Sequence, residues 1–384
     1  MANQFLTANR IAREALPILS DNLVAPNLMY KDYSKTYAKQ GSRIQVKRPN
    51  IFVANDFAAG GSISVQDLNQ FPVYVDLDSI ADVSVELSSR ELAMNFEDFN
   101  STILNPAIVA IAEKINTTGL GLAKGVPYWT GTAGTTPATL APIANAMRIL
   151  DTNKAPQDTR RAIWDEYANA SLLQLDTLVE QNKAGTTAAL RMSAMGNVYK
   201  FSNFMSQGVE TLTAGGFTAL TDVTAAITAA NNAVDSDTGF TYSSAVLTSA
   251  AGSSTAKLLE GDLLTIDGKQ KVVIEDTASA SSGVVTAKVY PAEAADITGG
   301  AVVFADVTAG AHTSNLAFHE KAFAFVSRPL APMAGFDSYS VSAGDLNLRV
   351  TLGSSITTKK TVMSIDTLYG YAVLYPELAC QILG

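Results

Sequence analysis

Cysteine and histidine are scarce in this chain. Its 384 residues include one cysteine, Cys380, and two histidines, His312 and His319. A single cysteine excludes a disulfide within the chain, and a reducing compartment fits best. The two histidines, expected on a loop and a strand, are poorly spaced to bind one metal ion. The sequence therefore predicts neither a disulfide framework nor a metal centre.

Charged residues and long apolar runs are also limited. Only 16% of the residues are charged, and the net charge is −9 without any basic block. Tight direct binding of nucleic acid needs clustered lysine and arginine to neutralise phosphates, so the composition argues against it. No apolar run reaches the roughly 18 residues of a membrane helix, and the N-terminus lacks a secretion-signal pattern. We expect two or three globular substructures and no membrane partner.

Catalytic motifs are missing as well. Cys380 lies in an apolar tail and is predicted to be a buried, small hydrophobic side chain rather than a nucleophile. The segment Gly119–Gly125 superficially resembles a phosphate-binding loop, but it follows a helix and lacks the Gly-Lys-Ser/Thr ending. We therefore predict a protein that is not an enzyme and has no cofactor.

The composition changes abruptly between positions 206 and 310. This stretch contains no Met, Trp, His or Cys, and no arginine occurs between Arg191 and Arg328. Ala, Thr, Ser and Gly dominate, and short strand-like runs alternate with glycine-containing turns. The pattern predicts a small all-β domain inserted into a host fold of helices and strands.

A long amphipathic helix is predicted between Asn95 and Lys124. Asn95 is suited to cap its start, and apolar side chains then recur at helical spacing. Pro106 is expected to bend the helix without ending it, and the end is expected to fray at Thr117–Gly119. The apolar stripe comprises Phe99, Ile103, Leu104, Ile108, Ile111 and Ile115. Such a helix needs a broad apolar surface to cover it.

Residues 42–90 alternate with period two and predict an extended hairpin with a long polar tip. Basic residues lie on the outgoing strand and acidic residues on the return, which predicts cross-strand ion pairs. Because two-stranded ribbons are marginal alone, we expect the hairpin to rest on another subunit, with its own domain as the alternative. The candidate intersubunit residues are Arg43, Lys47, Arg48, Asp56, Phe57, Asp76 and Asp78.

The first 40 residues predict an arm that contains an amphipathic helix. Ile11, Ala15 and Leu19 share one face, and Pro17 is expected to interrupt the helix. Two interpretations stay open at this point. The helix packs on its own core, or the arm reaches a neighbouring copy.

Several segments, taken together and in order, resemble the major capsid protein of tailed bacteriophages, in the branch typified by the P22 coat protein. The resemblance extends over nearly the whole chain, although each motif alone is modest. The segments are 41–49 (GSRIQVKRP), 105–115 (NPAIVAIAEKI), 261–268 (GDLLTIDG), 315–323 (NLAFHEKAF) with 328–330 (RPL), and 365–378 (IDTLYGYAVLYPEL).

The resemblance implies the α+β HK97-like capsid fold with an inserted small β-barrel. Its parts would be an N-terminal arm (1–40), an extended hairpin or E-loop with peripheral strands (41–94), a spine helix (95–124), an axial domain (125–208), the inserted domain (209–311) and a completing segment (312–384).

The resemblance also implies a function and partners. The chain would be a virion protein, made in the cytoplasm of a host bacterium, whose copies form pentamers and hexamers of an icosahedral shell. The shell would enclose double-stranded DNA without sequence-specific binding. The further partners would be a portal protein and a scaffolding protein, with Glu14 and Asp21 as candidate scaffold contacts.

Three other functions compete with this one. A host-encoded nanocompartment shell of the same fold is the first, and the inserted β domain counts against it. A fibre or adhesin would suit the Thr/Ala/Gly-rich middle but not the helices and the arm. A small-molecule enzyme would need an active site that the sequence does not display.

Overall fold

The computed structural model describes most of the chain as a mixture of helices and strands. The described residues are 8–31, 43–47, 54, 65, 72–88, 100–180, 183, 188–236, 238–250, 256–305, 311–343, 345–355 and 360–384. The helices there are α1 (Ala8–Asn22), α2 (Ala25–Leu28), α3 (Asn105–Leu120), α4 (Ala141–Thr152), α5 (Glu166–Leu172), α6 (Asp176–Val179) and α7 (Ala188–Met192).

The strands follow in chain order. The first ten are β1 (Arg43–Lys47), β2 (Pro72–Asp76), β3 (Ser79–Ser88), β4 (Trp129–Gly131), β5 (Arg160–Trp164), β6 (Asn197–Val198), β7 (Phe201–Met205), β8 (Thr211–Thr213), β9 (Val223–Ile227) and β10 (Ala233–Val234). The others are β11 (Thr241–Ser249), β12 (Leu263–Ile266), β13 (Lys269–Val273), β14 (Val284–Tyr290), β15 (Ile297–Phe304), β16 (Ala311–His319), β17 (Phe323–Arg328), β18 (Asp337–Ala343), β19 (Leu346–Ser355), β20 (Lys360–Val373) and β21 (Ala379–Leu383).

The predicted long helix is present and is buried along the predicted stripe. A π-helical turn at Asn100–Leu104 leads into α3, and a 3-10 turn at Gly121–Gly125 follows it. Pro106 lies in the first turn of α3, where the N–H that proline lacks has no helical partner to lose. Asn95 and Phe99 lie outside the described residues. The fully buried members of the stripe are Leu104, Ile108, Ile111 and Ile115.

An aromatic side chain of β20 holds the end of α3. The hydroxyl of Tyr371 donates a hydrogen bond to the backbone oxygen of Ile115 (3.0 Å). The Tyr371 ring covers Gly119, where an added Cβ would lie 2.8 Å from ring atom Cζ. Burial raises the pKa of Tyr371, so its hydroxyl stays protonated as a donor. The predicted fraying at Thr117–Gly119 was therefore wrong, because this contact fixes the last turn.

A five-stranded antiparallel sheet packs against α1 and α3. Its strand order is β17–β20–β19–β18, and β3 pairs with β20 from Lys360 to Tyr369. The sequence also predicts strands at Leu346–Leu352 and Thr361–Leu374, and these are confirmed as β19 and β20, whereas β18 is not predicted. The shared core includes Ile11, Leu19, Ile108, Ile111, Leu348, Val350, Met363 and Ile365. Each such side chain contributes roughly 1.5–3 kcal/mol when buried.

The N-terminal helix lies on this sheet of its own chain. α1 buries Ile11, Ala15 and Leu19, the stripe that the sequence predicts. The predicted interruption at Pro17 was wrong: the helix continues through this exposed position to Asn22. Burial of the stripe on both sides of Pro17 offsets the one backbone hydrogen bond that proline removes.

Asn116 of α3 fixes the segment that follows α1. Its Oδ1 accepts hydrogen bonds from the backbone N–H groups of Val24 (3.0 Å) and Ala25 (3.1 Å). Its Nδ2 donates to the backbone oxygen of Asn22 (3.0 Å). Of the two interpretations of the N-terminal segment, residues 8–31 therefore adopt the one in which it packs on its own core.

A second, central sheet has the order β4–β21–β16–β5–β7–β6, and β8 also pairs with β16. The face of this sheet that α4 covers buries Trp164, Phe201 and Cys380. The predicted burial of Cys380 is confirmed. His312 lies on β16 rather than on a loop. The adjacent carboxylates of Asp165 and Glu166 predict a helix start, which is confirmed because Asp165 caps α5 by accepting a hydrogen bond from the Ala168 N–H.

For this region the sequence also predicts a loop at Gly125–Gly134, a helix that starts at Thr136 and one strand at Val198–Phe201, and all three predictions were wrong. The predicted loop around Trp129 contains β4, because its backbone pairs in parallel with β21. α4 begins at Ala141 rather than at Thr136. The single strand predicted at 198–201 is two strands joined by a tight turn, in which Tyr199 and Lys200 have φ values of 47° and 67°.

The inserted domain is a closed barrel, as predicted. Its ring of six strands is β11–β14–β13–β12–β15–β9, and β9 pairs back to β11. Four predicted strand runs are confirmed as β12 to β15. β9 and β11 were missed because their Ala, Thr and Ser residues give a weak hydrophobic alternation. The barrel interior includes Phe217, Leu247, Leu264, Ile266, Val273 and Phe304.

Candidate assembly surfaces

The base of the predicted hairpin is an antiparallel pair of β1 and β2. Arg43 lies directly opposite Asp76, and its Nε and Nη2 atoms donate to the two carboxylate oxygens at 2.7 Å each. The guanidinium carbon is 4.8 Å from the ring centre of Tyr74. This confirms the predicted cross-strand ion pair. Because both side chains are well exposed, the pair contributes at most about 1 kcal/mol and serves mainly to fix the register.

The other face of this pair lies on the same chain. Val73, Val75 and Leu77 are buried. They pack in one cluster with Val46 of β1 and with side chains of the body: Ala324, Val326, Ala372 and Leu374. For the described residues, the prediction that the hairpin rests on another subunit was therefore wrong. The base rests on its own body, and Arg43 and Asp76 lie on its other face.

A glycine of β20 makes this close approach feasible. A Cβ added at Gly370 would lie 1.9 Å from the backbone oxygen of Asp76 and 3.3 Å from the Cα of Leu77. Any side chain at this position would therefore overlap the hairpin backbone. A glycine inside a strand often marks such a close backbone approach, and the Tyr-Gly-Tyr run at 369–371 carried that signal in the sequence.

The remaining candidate hairpin residues are more scattered. Asp78 is exposed just after β2 and accepts a hydrogen bond from the Ser79 hydroxyl (3.0 Å). Lys47 lies in β1 opposite Pro72. The side chain of Lys47 and all of Arg48, Asp56 and Phe57 lie outside the described part of the chain. The structure thus brings Arg43, Asp76 and Asp78 to one end of the hairpin base.

The two candidate scaffold contacts lie on the exposed side of α1. Glu14 and Asp21 are both exposed. They are seven residues apart, which corresponds to two helical turns and about 10 Å along the axis. Both carboxylates therefore lie on the exposed face of α1, away from the face that packs on the five-stranded sheet.

The five-stranded and central sheets are joined where three chain segments cross. These are the turn after α3, the turn Glu320–Ala322 between β16 and β17, and the turn Pro376–Leu378 between β20 and β21. The backbone N–H of Leu374 donates to the Ala322 oxygen (2.8 Å), which links the second and third crossings. We call this region the junction.

Within the junction, Gln381 connects β21 to the turn that follows α3. Its fully buried amide Nε2 donates to the backbone oxygens of Ala123 and Val126, both at 2.8 Å. Its Oε1 accepts from the hydroxyl of Ser314 at 2.6 Å. Sequence reasoning missed this residue, although a glutamine within the apolar tail was a detectable signal.

His319 lies beside the second crossing and is buried. Its Nδ1 accepts a hydrogen bond from the Lys321 N–H (3.2 Å), and its Nε2 is 3.1 Å from the hydroxyl of Thr159 and 3.6 Å from Asp158. An Nδ1 that accepts is unprotonated, so the neutral tautomer carries its proton on Nε2. Burial lowers the pKa of His319, against the opposing effects of Asp158 and Glu320 and with a smaller lowering by Lys321.

We expect the folded subunit to lose stability as the pH falls below about 6.5, the ordinary pKa of histidine. A lowered folded-state pKa means that the unfolded chain binds the proton first, so stability is complete above that pH and decreases below it. Protonation of Nδ1 also removes the acceptor for the Lys321 N–H. Urea unfolding between pH 7.5 and 5 should therefore show a smaller pH dependence for His319→Gln than for the wild type. His312→Gln is the control. If both variants reduced the pH dependence of the unfolding free energy equally, the assignment of this dependence to His319 would be contradicted.

The barrel is attached to the rest of the subunit through its β12–β13 side. Gln270 donates from Nε2 to the Trp129 oxygen (2.9 Å) and accepts from the Trp129 N–H at 3.4 Å. The hydroxyl of Tyr290 donates to Glu377 (3.1 Å). Leu263 and Val272 belong to the same apolar cluster as the hairpin base. The barrel therefore shares one packed surface with the hairpin base and the junction.

A cleft of about 500 Å³ separates the barrel from the end of α3 and from β2. Its walls include Tyr74, Asp78, Lys124, Glu260 and Tyr290. Within the described residues, no three His, Cys, Asp or Glu side chains are placed to hold a metal ion. None of the helices described is long and apolar enough to cross a membrane.

A long buried helix, a five-stranded sheet, a central sheet, an extended hairpin base and an inserted barrel together define the HK97-like fold, and the predicted fold class is confirmed. A solved structure from Mycobacterium phage Che8 shares this fold, with a TM-score of 0.54 and 13% identity over 94% of this chain and 90% of that chain.

Two further solved structures are similar at lower scores. The capsid of the cyanophage P-SCSP1u has a TM-score of 0.48 and 13% identity, over 89% of this chain and 83% of that chain. The mature capsid of bacteriophage PhiM1 has a TM-score of 0.46 and 10% identity, over 90% and 82%. No family model and no curated protein matches the sequence.

Proposed function

We propose that this protein is the major capsid protein of a tailed bacteriophage, a structural rather than catalytic subunit of the virion. The observation that carries this proposal is the HK97-like fold shared over 94% of the chain with the Che8 phage structure. The inserted closed barrel favours the P22-like branch over a nanocompartment shell. On this proposal the five-stranded sheet with α3 is the peripheral domain, and the central sheet is the axial domain.

Copies associate through heterologous contacts that close into pentamers and hexamers of an icosahedral shell. Each contact can be weak, because many contacts act together in a closed shell. The hairpin base is fixed on its own body, and the hairpin contacts a neighbouring copy through Arg48 of its outgoing strand and through Asp56 and Phe57 of its tip. Arg43, Lys47, Asp76 and Asp78 contribute at the exposed face of the base.

Charge supports two of the remaining partners, the enclosed DNA and the scaffolding protein, and the resemblance to tailed-phage capsid proteins supports the others. A net charge of −9 suits a container for double-stranded DNA, because a basic lining would bind the phosphates throughout. The exposed carboxylates of Glu14 and Asp21 offer a scaffolding protein an acidic contact on the arm. A portal protein occupies one vertex. Synthesis takes place in the cytoplasm of the host bacterium.

Assembly of the purified protein tests the proposal. We expect electron microscopy to show closed shells, either spontaneously or with an added scaffolding protein. A subunit that stays a monodisperse monomer under every assembly condition would overturn the proposed function.

Deleting residues 55–69 is expected to leave a folded monomer that forms no shells, because the base of the hairpin is held independently by its own body. Thermal unfolding checks the fold, and light scattering with electron microscopy checks assembly. A variant with the same segment in scrambled order is the matched control for length and composition. Normal shells from the deletion variant would exclude the proposed role of the tip.

A further inference from the structure

Three separate parts of the subunit form the walls of the cleft between the barrel and α3. The hairpin base contributes Asp78, the 3-10 turn after α3 contributes Leu122 and Lys124, and the barrel contributes Asp235 and Glu260. Its volume of about 500 Å³ falls within the range of roughly 300–1,000 Å³ that is usual for small-molecule pockets. The cleft is therefore large enough to hold a ligand that contacts all three parts at once.

The charged side chains of these walls are mostly acidic. Among the described residues they are five carboxylates and one amine, that of Lys124. The amine is already paired with Glu210, at 3.3 Å. Two of the carboxylates are also neutralised, by partners at the rim of the cleft: Asp76 by Arg43, and Glu275 by Lys288.

The other three carboxylates keep an uncompensated charge. Asp78 accepts a hydrogen bond from the Ser79 hydroxyl, and Asp235 accepts from the backbone N–H and the hydroxyl of Thr238. Neither of these two side chains nor that of Glu260 forms an ion pair within the described part of the chain. Since they come from both sides of the cleft, the hairpin base and the barrel repel each other across it. A ligand with three positive charges would compensate all three.

The placement of the carboxylates determines the shape of such a ligand. No three of them are positioned around one metal ion in the part of the chain that the structure describes. The positive charges of the ligand must therefore be separated along a chain. The walls also include the apolar side chains of Leu122, Phe240 and Val272, against which methylene groups can be buried. A linear polyamine, in which runs of methylene groups separate the ammonium groups, has both properties.

We propose that the cleft binds a linear aliphatic polyamine whose three ammonium groups contact Asp78, Asp235 and Glu260. The bound ligand bridges the hairpin base and the barrel, and it replaces the repulsion between their carboxylates by charge-assisted hydrogen bonds. The barrel is then held in a fixed orientation on the hairpin base. This inference goes beyond the proposed function, because the whole site belongs to one subunit and requires no shell.

Titration of the unassembled subunit with spermidine, a linear triamine, tests the proposal. We expect calorimetry in about 0.15 M salt to show one saturable site, since contacts within a cleft are screened less than surface contacts. Asp78→Asn and Glu260→Gln should each weaken binding roughly tenfold, because each removes one charge-assisted contact. The double variant Glu113→Gln/Asp222→Asn is the matched control for the double variant Asp78→Asn/Glu260→Gln. It changes the net charge equally at two exposed positions outside the cleft, and it should bind as the wild type does.

Hydrogen exchange provides a second measurement. Saturation with spermidine should slow the exchange of β2 in the wild type but not in the double cleft variant, and thermal unfolding without ligand checks that every variant folds. The proposal would be overturned if no saturable site appeared, or if the cleft variants bound as tightly as the charge control. An equal titration with magnesium chloride would also overturn it, since this would indicate counter-ion binding only. Shell assembly is measured separately, so a negative result here leaves the proposed function standing.

Discussion

Gly370→Ala is expected to abolish shell assembly and to destabilise the subunit by about 3 kcal/mol or more. The new Cβ would lie 1.9 Å from the backbone oxygen of Asp76, and neither backbone can yield without moving a whole strand. Overpacking of this kind typically costs about 1–3 kcal/mol. Here the displaced strand also re-exposes Val75 and Leu77, which are buried in the wild type. The hairpin would then leave its body at a wrong angle.

Hydrogen exchange of residues 72–77 in the monomer measures the local displacement, and light scattering measures assembly. Gly216→Ala is the matched control, because its new Cβ would meet only the Ala256 side chain at 3.4 Å, an ordinary contact distance. We expect that variant to assemble normally. Unchanged exchange and normal shells for Gly370→Ala would mean that β2 does not lie on β20 in solution.

Gln381→Leu is expected to lower the free energy of unfolding by about 3–5 kcal/mol. It removes the side-chain partner of the Val126 oxygen and of the Ser314 hydroxyl, whereas the Ala123 oxygen keeps its hydrogen bond from the Val126 N–H. Each buried polar group that loses its partner costs roughly 1–3 kcal/mol. Since the same amide ties the turn after α3 to β21, we also expect the two sheets to unfold less cooperatively.

Urea unfolding followed by fluorescence and by circular dichroism measures this effect. Cys380→Ala is the control at the adjacent buried position, where we expect a loss of only about 1 kcal/mol from the smaller side chain. The double variant with Ser314→Ala should cost less than the sum of the two single variants, because the residues share one hydrogen bond. Additive losses would show that Gln381 acts by packing alone.

The sequence was most informative where one local period governs a long segment. The stripe from Leu104 to Ile115 specified α3, because four large apolar side chains at helical spacing share one face only when the segment is a helix. Alternation specified β19 and β20 in the same manner. Opposite charges on the two arms of the hairpin predicted cross-strand ion pairs, and Arg43 and Asp76 form one, because directly opposed side chains of opposite charge attract each other.

Local reasoning failed where the decisive partner is distant in sequence. Whether α1 packs on its own chain depends on Asn116, and the end of α3 depends on Tyr371. The strand β4 exists only because β21 lies beside Trp129. None of these contacts has a signature within a short window of the sequence.

The class of fold followed from the resemblance to tailed-phage capsid proteins. The sequence by itself determined the long helix, the inserted β domain and the absence of a disulfide within the chain. Those three features follow from composition and from hydrophobic periods of 2 or 3.6 residues, which can be read within a short segment of the sequence. The tertiary structure alone decided that the hairpin base lies on its own body and that β9 closes the barrel onto β11. The physical reason is that alternation states which face of a strand is buried but not which strand lies beside it.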